Sequence, residues 1–447
     1  MKWASVILAS ALCLADEYPL PSDGTARGTG LVMPPENVRL AAIKAAVKLP
    51  KVRLAATLPA AVDNSKSKFF PPIGDQGSLG SCAQFAGIYY CFSYEYSRLY
   101  GQPVLMSPKW TWNALNDGTG QGSWWTSGWE IVRDHGCATL NEFPYDSNYS
   151  EWPNGSALWI GAMYRRVSGW VRITDVNTDQ GINDLKREIA FGKIFAFGTF
   201  IFSVKTKRVS DNPADANDDP YVGELAVCAL NGGEGGHAMT IVGYNDNIWV
   251  DANDDKIVQS DELGAFKVAN SWGKNWGNRG FIWFTYNSFR LPNPAARNWG
   301  AATLNEAWGV NAQLSQPKMV WKFKLSGMAR NHLVVSRSGS LGNSGTSYFS
   351  INGGSTPFAG IGKTNAIEVA LDHTSFVGDT MDYQRLTLAD WCIGYPITIE
   401  DVRYSHLDIN VDVPLAKQRV IDYNSTTFEY KCSRTARQKI FRTAYEQ

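Results

Sequence analysis

Residues 74–86 run from a glycine-rich loop straight into a helical pattern, and Cys82 stands at the junction. Beyond it Phe85, Ile88, Tyr89, Phe92, Tyr96 and Leu99 recur on one side of a helix. The spacing therefore puts Cys82 at a helix N-terminus, where unpaired backbone N–H groups and the helix dipole favour an anion. A thiol there is biased toward thiolate, its reactive form. The glycines leave that thiol uncovered and let a substrate backbone come close. Upstream, the amide of Gln76 is available to join the N–H of Cys82 in holding an oxyanion. Taken alone, the cysteine reads equally well as a small buried core residue.

Two further segments carry chemistry. Residues 232–244 are a second glycine-rich loop that gives way to a strand, with His237 at the change. Residues 264–281 contain Asn270-Ser271-Trp272-Gly273, followed by Trp276-Gly277 and Gly280-Phe281. A lone His is more often structural, and an Asn-Ser-Trp-Gly run alone reads as a turn. Three such segments in the order Gln, Cys, His, Asn resemble the papain/cathepsin family of cysteine peptidases.

That resemblance implies an α+β, two-lobed peptidase fold with catalytic Cys82, His237, Asn270 and Gln76. Cys82 is then the nucleophile and His237 its base. Asn270 orients the imidazole, and Trp272 shields that hydrogen bond. Gly122 and Ser123 fall near the paired glycines that bind substrate backbone in the family, although the second is Ser here. Leu79 stands where many members have a disulfide cysteine, so that bridge is not expected. Ala83 replaces the usual Trp or Tyr after the nucleophile. Phe143-Pro144-Tyr145 follows a helical run at residues 129–136, as in the family. The resemblance covers roughly residues 58–300 and implies protein or peptide substrates and no organic cofactor.

The rest of the chain divides around this region. At 447 residues it exceeds one ordinary core. Residues 1–15, with Lys2 before a short apolar run, read as a signal peptide, so the product is expected to be secreted or periplasmic. Residues 16–57 read as a prosegment or linker with one helix between Pro35 and Pro50, its apolar side lacking a partner in its own segment. The peptidase region is expected over 58–311. Residues 312–447 show short β-type runs between Gly/Ser/Asn clusters, which reads as a C-terminal β-sandwich that binds a surface or a substrate. Cys392 and Cys432 lie there and are able to pair, although sequence does not fix connectivity.

Residues 251–262 join the His and Asn strands. Their ligand pattern is Asp251, Asn253, Asp255, the carbonyl of Ile257, Gln259 and Glu262, the spacing of an EF-hand calcium loop. Lys256 occupies the position that pattern gives to Gly. The expectation is a structural Ca²⁺ ion, against the plainer reading of a solvated acidic hairpin tip. A second acidic run, residues 211–224, lacks the spacing and reads as a loop.

Forty-two basic residues balance 42 acidic ones, and no basic stripe argues for nucleic acid. No stretch is long and apolar enough for a membrane helix. The residues also fit a catalytically silent binding protein on the same fold, or a peptide ligase or acyltransferase that uses the same acyl-enzyme.

Overall fold

The computed structural model describes residues 27–47, 58–116, 118–292, 305–339, 344–348, 358–376, 383–391, 393–408, 410–416 and 418–431. The expected signal peptide and the cysteines at 392 and 432 lie outside them. None of the four described cysteines, Cys82, Cys91, Cys137 and Cys228, is in a disulfide. No helix among the described residues is long and apolar enough to cross a membrane.

The chain forms two compact units, each built from several stretches of sequence. The first comprises Met1–Leu31, Ile43–Ser78 and Trp170–Gly309; the second comprises Val32–Ala42, Leu79–Gly169 and Val310–Gln447.

A mixed β-sheet dominates the first unit. Its order is Arg165–Thr174, Glu306–Leu314, Phe195–Phe200, Gly236–Trp249, Leu263–Ala269, Phe281–Thr285, Leu225–Leu230, Val204–Arg208. Ala61–Asp63 adds to Gly236–Trp249. Along that central strand every residue from His237 to Asn245 is buried, so both faces are covered and the sequence shows no alternation. Helix Asp179–Ala190 begins where Thr178 accepts a hydrogen bond from the N–H of Gly181. It turns Ile182, Leu185 and Ile189 into the core shared with Phe197, Ile241, Phe266 and Phe284.

The second unit contains helices and two antiparallel sheets. Residues 82–100 are continuously helical, with π-type turns over Phe85–Phe92. The expected one-sided stripe is overridden here. Every residue from Ser81 to Tyr94 is buried, while Leu99 is half exposed. Helices Pro108–Leu115, Trp125–His135 and Ser156–Met163 complete this part. The C-terminal strands form one five-stranded and one four-stranded sheet. In strand Leu333–Gly339 burial alternates strictly, with Leu333, Val335 and Arg337 turned inward. Tyr404 of the first sheet stacks on Tyr430 of the second, 4.6 Å between ring centres.

The short helix expected before residue 50 is Glu36–Ala45. Ala42 is its buried residue, and Leu40 faces solvent.

Candidate active site

His237 is the second residue of strand Gly236–Trp249 and lies opposite Thr199 in the neighbouring strand. Asn270 follows the end of Leu263–Ala269, which pairs with the same strand. The sheet thus fixes both side chains on rigid backbone. His237 Nε2 lies 2.7 Å from Asn270 Oδ1. An amide oxygen only accepts, so Nε2 carries the proton. That tautomer leaves the Nδ1 lone pair able to accept a proton, and Nδ1 is buried with no hydrogen-bond partner among the described residues. Asn270 Oδ1 also accepts from the Ser271 N–H at 2.7 Å, which holds the amide in place.

The His237 ring has no solvent exposure. Burial lowers its pKa to about 4, against the opposing effect of the Asn270 hydrogen bond. The imidazole is therefore neutral in the resting fold. The indole of Trp272 covers it at 4.7 Å between ring centres and is itself packed by Phe202 and Trp276.

Ser271, which the sequence reading passed over, aims Gln76. The backbone N–H of Gln76 donates to the Ser271 carbonyl at 2.8 Å. The Ser271 hydroxyl donates to Gln76 Oε1, which fixes the amide so that Nε2 faces away from it. Nε2 donates to the carbonyl of Gly28 at 3.1 Å. The indole N–H of Trp272 donates to the same carbonyl at 2.9 Å. Gly30 and Leu31 then donate their N–H groups to the Gly236 carbonyl, at 3.1 and 3.0 Å. A Cβ on Gly236 would stand 3.0 Å from the Leu31 carbonyl oxygen, so the strand admits this close pass because it starts with glycine.

Cys82 belongs to the second unit, fully buried as the first residue of its helix. Before it, a Cβ on Gly80 would come within 2.9 Å of the Gly120 carbonyl, so the loop carrying Gly122 and Ser123 lies directly on the loop that leads into Cys82. Two residues after Cys82, Gln84 Nε2 donates to Ser123 Oγ at 2.9 Å and to the Trp124 carbonyl at 3.1 Å. Thr111 Oγ1 donates to Gln84 Oε1 at 2.8 Å. Gly87 and Gly128 let this helix and Trp125–His135 meet almost backbone to backbone. A Cβ at 128 would stand 2.0 Å from Gln84 Oε1. The Val32 N–H donates to the Ser123 carbonyl at 3.2 Å. Val32 and Met33 line a cavity of about 160 Å³ with Gly122, Ser123 and Trp124.

The expected calcium loop folds around its own donors. Asp251 Oδ2 accepts from the Lys256 N–H, Asn253 Oδ1 from Asp255 and Asp255 Oδ1 from Ile257, at 2.8–3.0 Å. Lys256 takes a left-handed φ of +60°, as the position expected of Gly requires. Glu262 is buried, accepting from the Ala252 N–H and the Trp249 indole. Gln259 Oε1 accepts from the Asn253 amide at 3.3 Å. Lys207 reaches in, 3.0 Å from the Asp251 carbonyl and 2.7 Å from Asp254. The carboxylates that gather within 4.8 Å of one another among the described residues are others: Asp211, Asp218 and Asp219.

Comparison with known proteins bears on the first unit directly. Residues 221–293, which span His237 and Asn270, match the sequence model of the family described as papain family cysteine protease. The chain is 24% identical over 237 residues to an uncharacterised peptidase C1-like protein of Acanthamoeba polyphaga mimivirus, covering 50% of this chain and 68% of the viral one. It is 26% identical over 227 residues to cathepsin L 2 of Paramecium tetraurelia, covering 49% of this chain and 57% of that protein. The match thus spans little more than half the length of that cathepsin. Among solved structures it is similar to xylellain, a cysteine protease from Xylella fastidiosa, at 19% identity and a TM-score of 0.44, over 64% of this chain and 96% of that one. By the match over its His and Asn segment, the chain is similar to papain-like cysteine peptidases.

Proposed function

We propose that the protein is a secreted peptidase that hydrolyses peptide bonds through a thioester on Cys82, with protein or peptide substrates. The observation that carries this reading is the His237–Asn270 hydrogen bond, which leaves Nδ1 as a base in a dry, fixed position. Nδ1 takes the Cys82 proton, and the thiolate attacks the peptide carbonyl. Gln76 Nε2 and the Cys82 N–H stabilise the oxyanion. The imidazolium passes its proton to the leaving amine. Water, deprotonated by the same nitrogen, then attacks the thioester and releases the acid and the thiol. A site that holds its imidazole neutral makes imidazolium costly without a counter-charge; the thiolate supplies one. Gly122, Ser123 and Trp272 serve the substrate on this reading.

Residues 16–57 act as an inhibitory prosegment, removed by cleavage near Leu58. Two observations support this. The Gly28 carbonyl occupies the Gln76 donor that an oxyanion needs, and Val32 is hydrogen-bonded to Ser123. The C-terminal sheets are read as a β-sandwich accessory domain that binds substrate or a surface. The loop 251–262 is read as a structural Ca²⁺ site using Asp251, Asn253, Asp255, the Ile257 carbonyl, Gln259 and Glu262. The unpartnered, buried Oδ1 of Asp251 fits an oxygen waiting for a cation.

The test is labelling by an epoxide inhibitor of thiol peptidases, followed by mass spectrometry. Protein starting at Leu58 should carry one adduct on Cys82, and protein starting at Asp16 should react far more slowly. No adduct on Cys82 in folded protein starting at Leu58 would sink the mechanism. Equal rates from both proteins, without processing, would remove the inhibitory prosegment.

A further inference from the structure

The loop between strands Val204–Arg208 and Leu225–Leu230 is closed by backbone bonds at its neck and gathers three carboxylates in its middle. At the neck the Val209 N–H donates to the Glu224 carbonyl and the Gly223 N–H to the Val209 carbonyl. Tyr221 packs edge-on against Trp283, whose indole donates to Glu224. In the middle, one oxygen from each of Asp211, Asp218 and Asp219 comes within 4.8 Å of the others. None of the three has an ion pair among the described residues.

Asp218 makes this more than a run of acids. Its side chain has no solvent exposure. Oδ2 accepts from the Asn212 N–H at 3.0 Å, but Oδ1 has no donor. A buried carboxylate with one unsatisfied oxygen and two like charges beside it is costly to fold. Burial raises its pKa first, and the charges of Asp211 and Asp219 add to the rise. A bound cation reverses both effects at once.

We propose that Asp211, Asp218 and Asp219 bind a hard divalent cation of the Ca²⁺ class, which closes the middle of this loop. The donors are all oxygen, with no nitrogen or sulfur ligand, which disfavours zinc and copper. Asp211 and Asp219 are exposed, so water completes the shell, and the adaptable six- to eightfold coordination of Ca²⁺ suits this better than the strict octahedron of Mg²⁺. The Ser210 N–H donates to the Trp249 carbonyl at 2.9 Å, so the ion anchors a loop tied to the strand that carries His237. This site is separate from residues 251–262 and does not depend on the peptidase reading.

The experiment is thermal melting of the full chain in millimolar Ca²⁺, in millimolar Mg²⁺ and in chelator. It compares the parent with Asp218→Asn, Asp211→Asn/Asp219→Asn and Glu262→Gln. Calcium should raise the parent Tm by about 5 °C, as expected for an ion that binds only the folded state. The shift should shrink in both aspartate variants, and Mg²⁺ should do less than Ca²⁺. In chelator Asp218→Asn should melt no lower than the parent, because it keeps an acceptor for Asn212 and removes a repelling charge. If Asp218→Asn fails to fold, the double variant of exposed residues still decides. Identical parent melting in Ca²⁺ and chelator would overturn the site. So would a shift lost in Glu262→Gln and undiminished in Asp211→Asn/Asp219→Asn, since the ion would then belong to the other loop.

Discussion

His237 and Cys82 are held by different kinds of force. Around His237 the restraints include a chain of directed hydrogen bonds, from the ring N–H to Asn270, from the Ser271 N–H to Asn270 and from the Ser271 hydroxyl to Gln76, beneath the Trp272 indole. Around Cys82 the restraint is largely missing volume. Gly80, Gly87 and Gly128 allow neighbouring segments to approach to distances that a methyl group would forbid, and Gln84 bridges the remaining space. Directed bonds set protonation and orientation, whereas close packing sets position. Substitutions in the first region should therefore appear in rate and pH profile, and those in the second mainly in stability.

The largest expected effect is His237→Ala, which should lower kcat/KM about 10³-fold or more while leaving a folded protein by circular dichroism. Near-normal turnover would mean that the base lies elsewhere. Asn270→Ala should cost about 10- to 100-fold, with the acid limb of the pH profile displaced, because the hydrogen bond that raises the imidazole pKa is lost. An unchanged profile with equal loss would mark Asn270 as a packing residue and break the distinction.

Acid should act on both regions through buried histidines. Burial lowers the pKa of His237 in the first unit, and of His135 and His373 in the second, to about 4. Each is neutral when folded, while the unfolded chain binds protons below its own pKa of about 6.5. Stability is thus complete above that value and falls with pH down to the folded pKa. Between about pH 7 and 5 each histidine should cost about 1 to 2 kcal/mol. Urea midpoints at the two pH values measure the sum. A midpoint that does not fall would show that these rings are not neutral when folded. The smallest effect is expected from Gly128→Ala, whose methyl group collides with Gln84. It should lose about 1–2 kcal/mol of stability while kcat/KM changes less than tenfold. A large rate loss without a melting change would put Gln84 in the chemistry.

The places of Cys82, His237 and Asn270 at the ends of elements were legible because sequence marks each with glycine or with a short fixed run, whereas Gln76 lies inside its loop. Ser271 was present inside such a run, but its task depends on residues 76 and 271 pairing through backbone, which no local pattern announces. Gln84 was hidden in the same way, since its partners lie on two other segments. The two acidic loops divide on this point. Residues 251–262 repeat a ligand spacing. Asp211, Asp218 and Asp219 meet because a loop turns back on itself, which spacing does not encode. The uniform burial of residues 81–94 also escaped periodicity, because a helix covered on every side has no polar face to reveal its period.

The Gly28 carbonyl gives this arrangement a kinetic character. The groups that engage Gln76 and Trp272 are bare peptide backbone, which any incoming peptide also carries. Their advantage lies in covalent attachment, which holds them at an effective concentration of roughly millimolar for a short flexible tether. On the zymogen reading, a cut near Leu58 leaves every contact in place and removes only that advantage. Escape from inhibition then depends on dilution: a concentrated stock should recover activity slowly, and the same sample diluted should recover it fully.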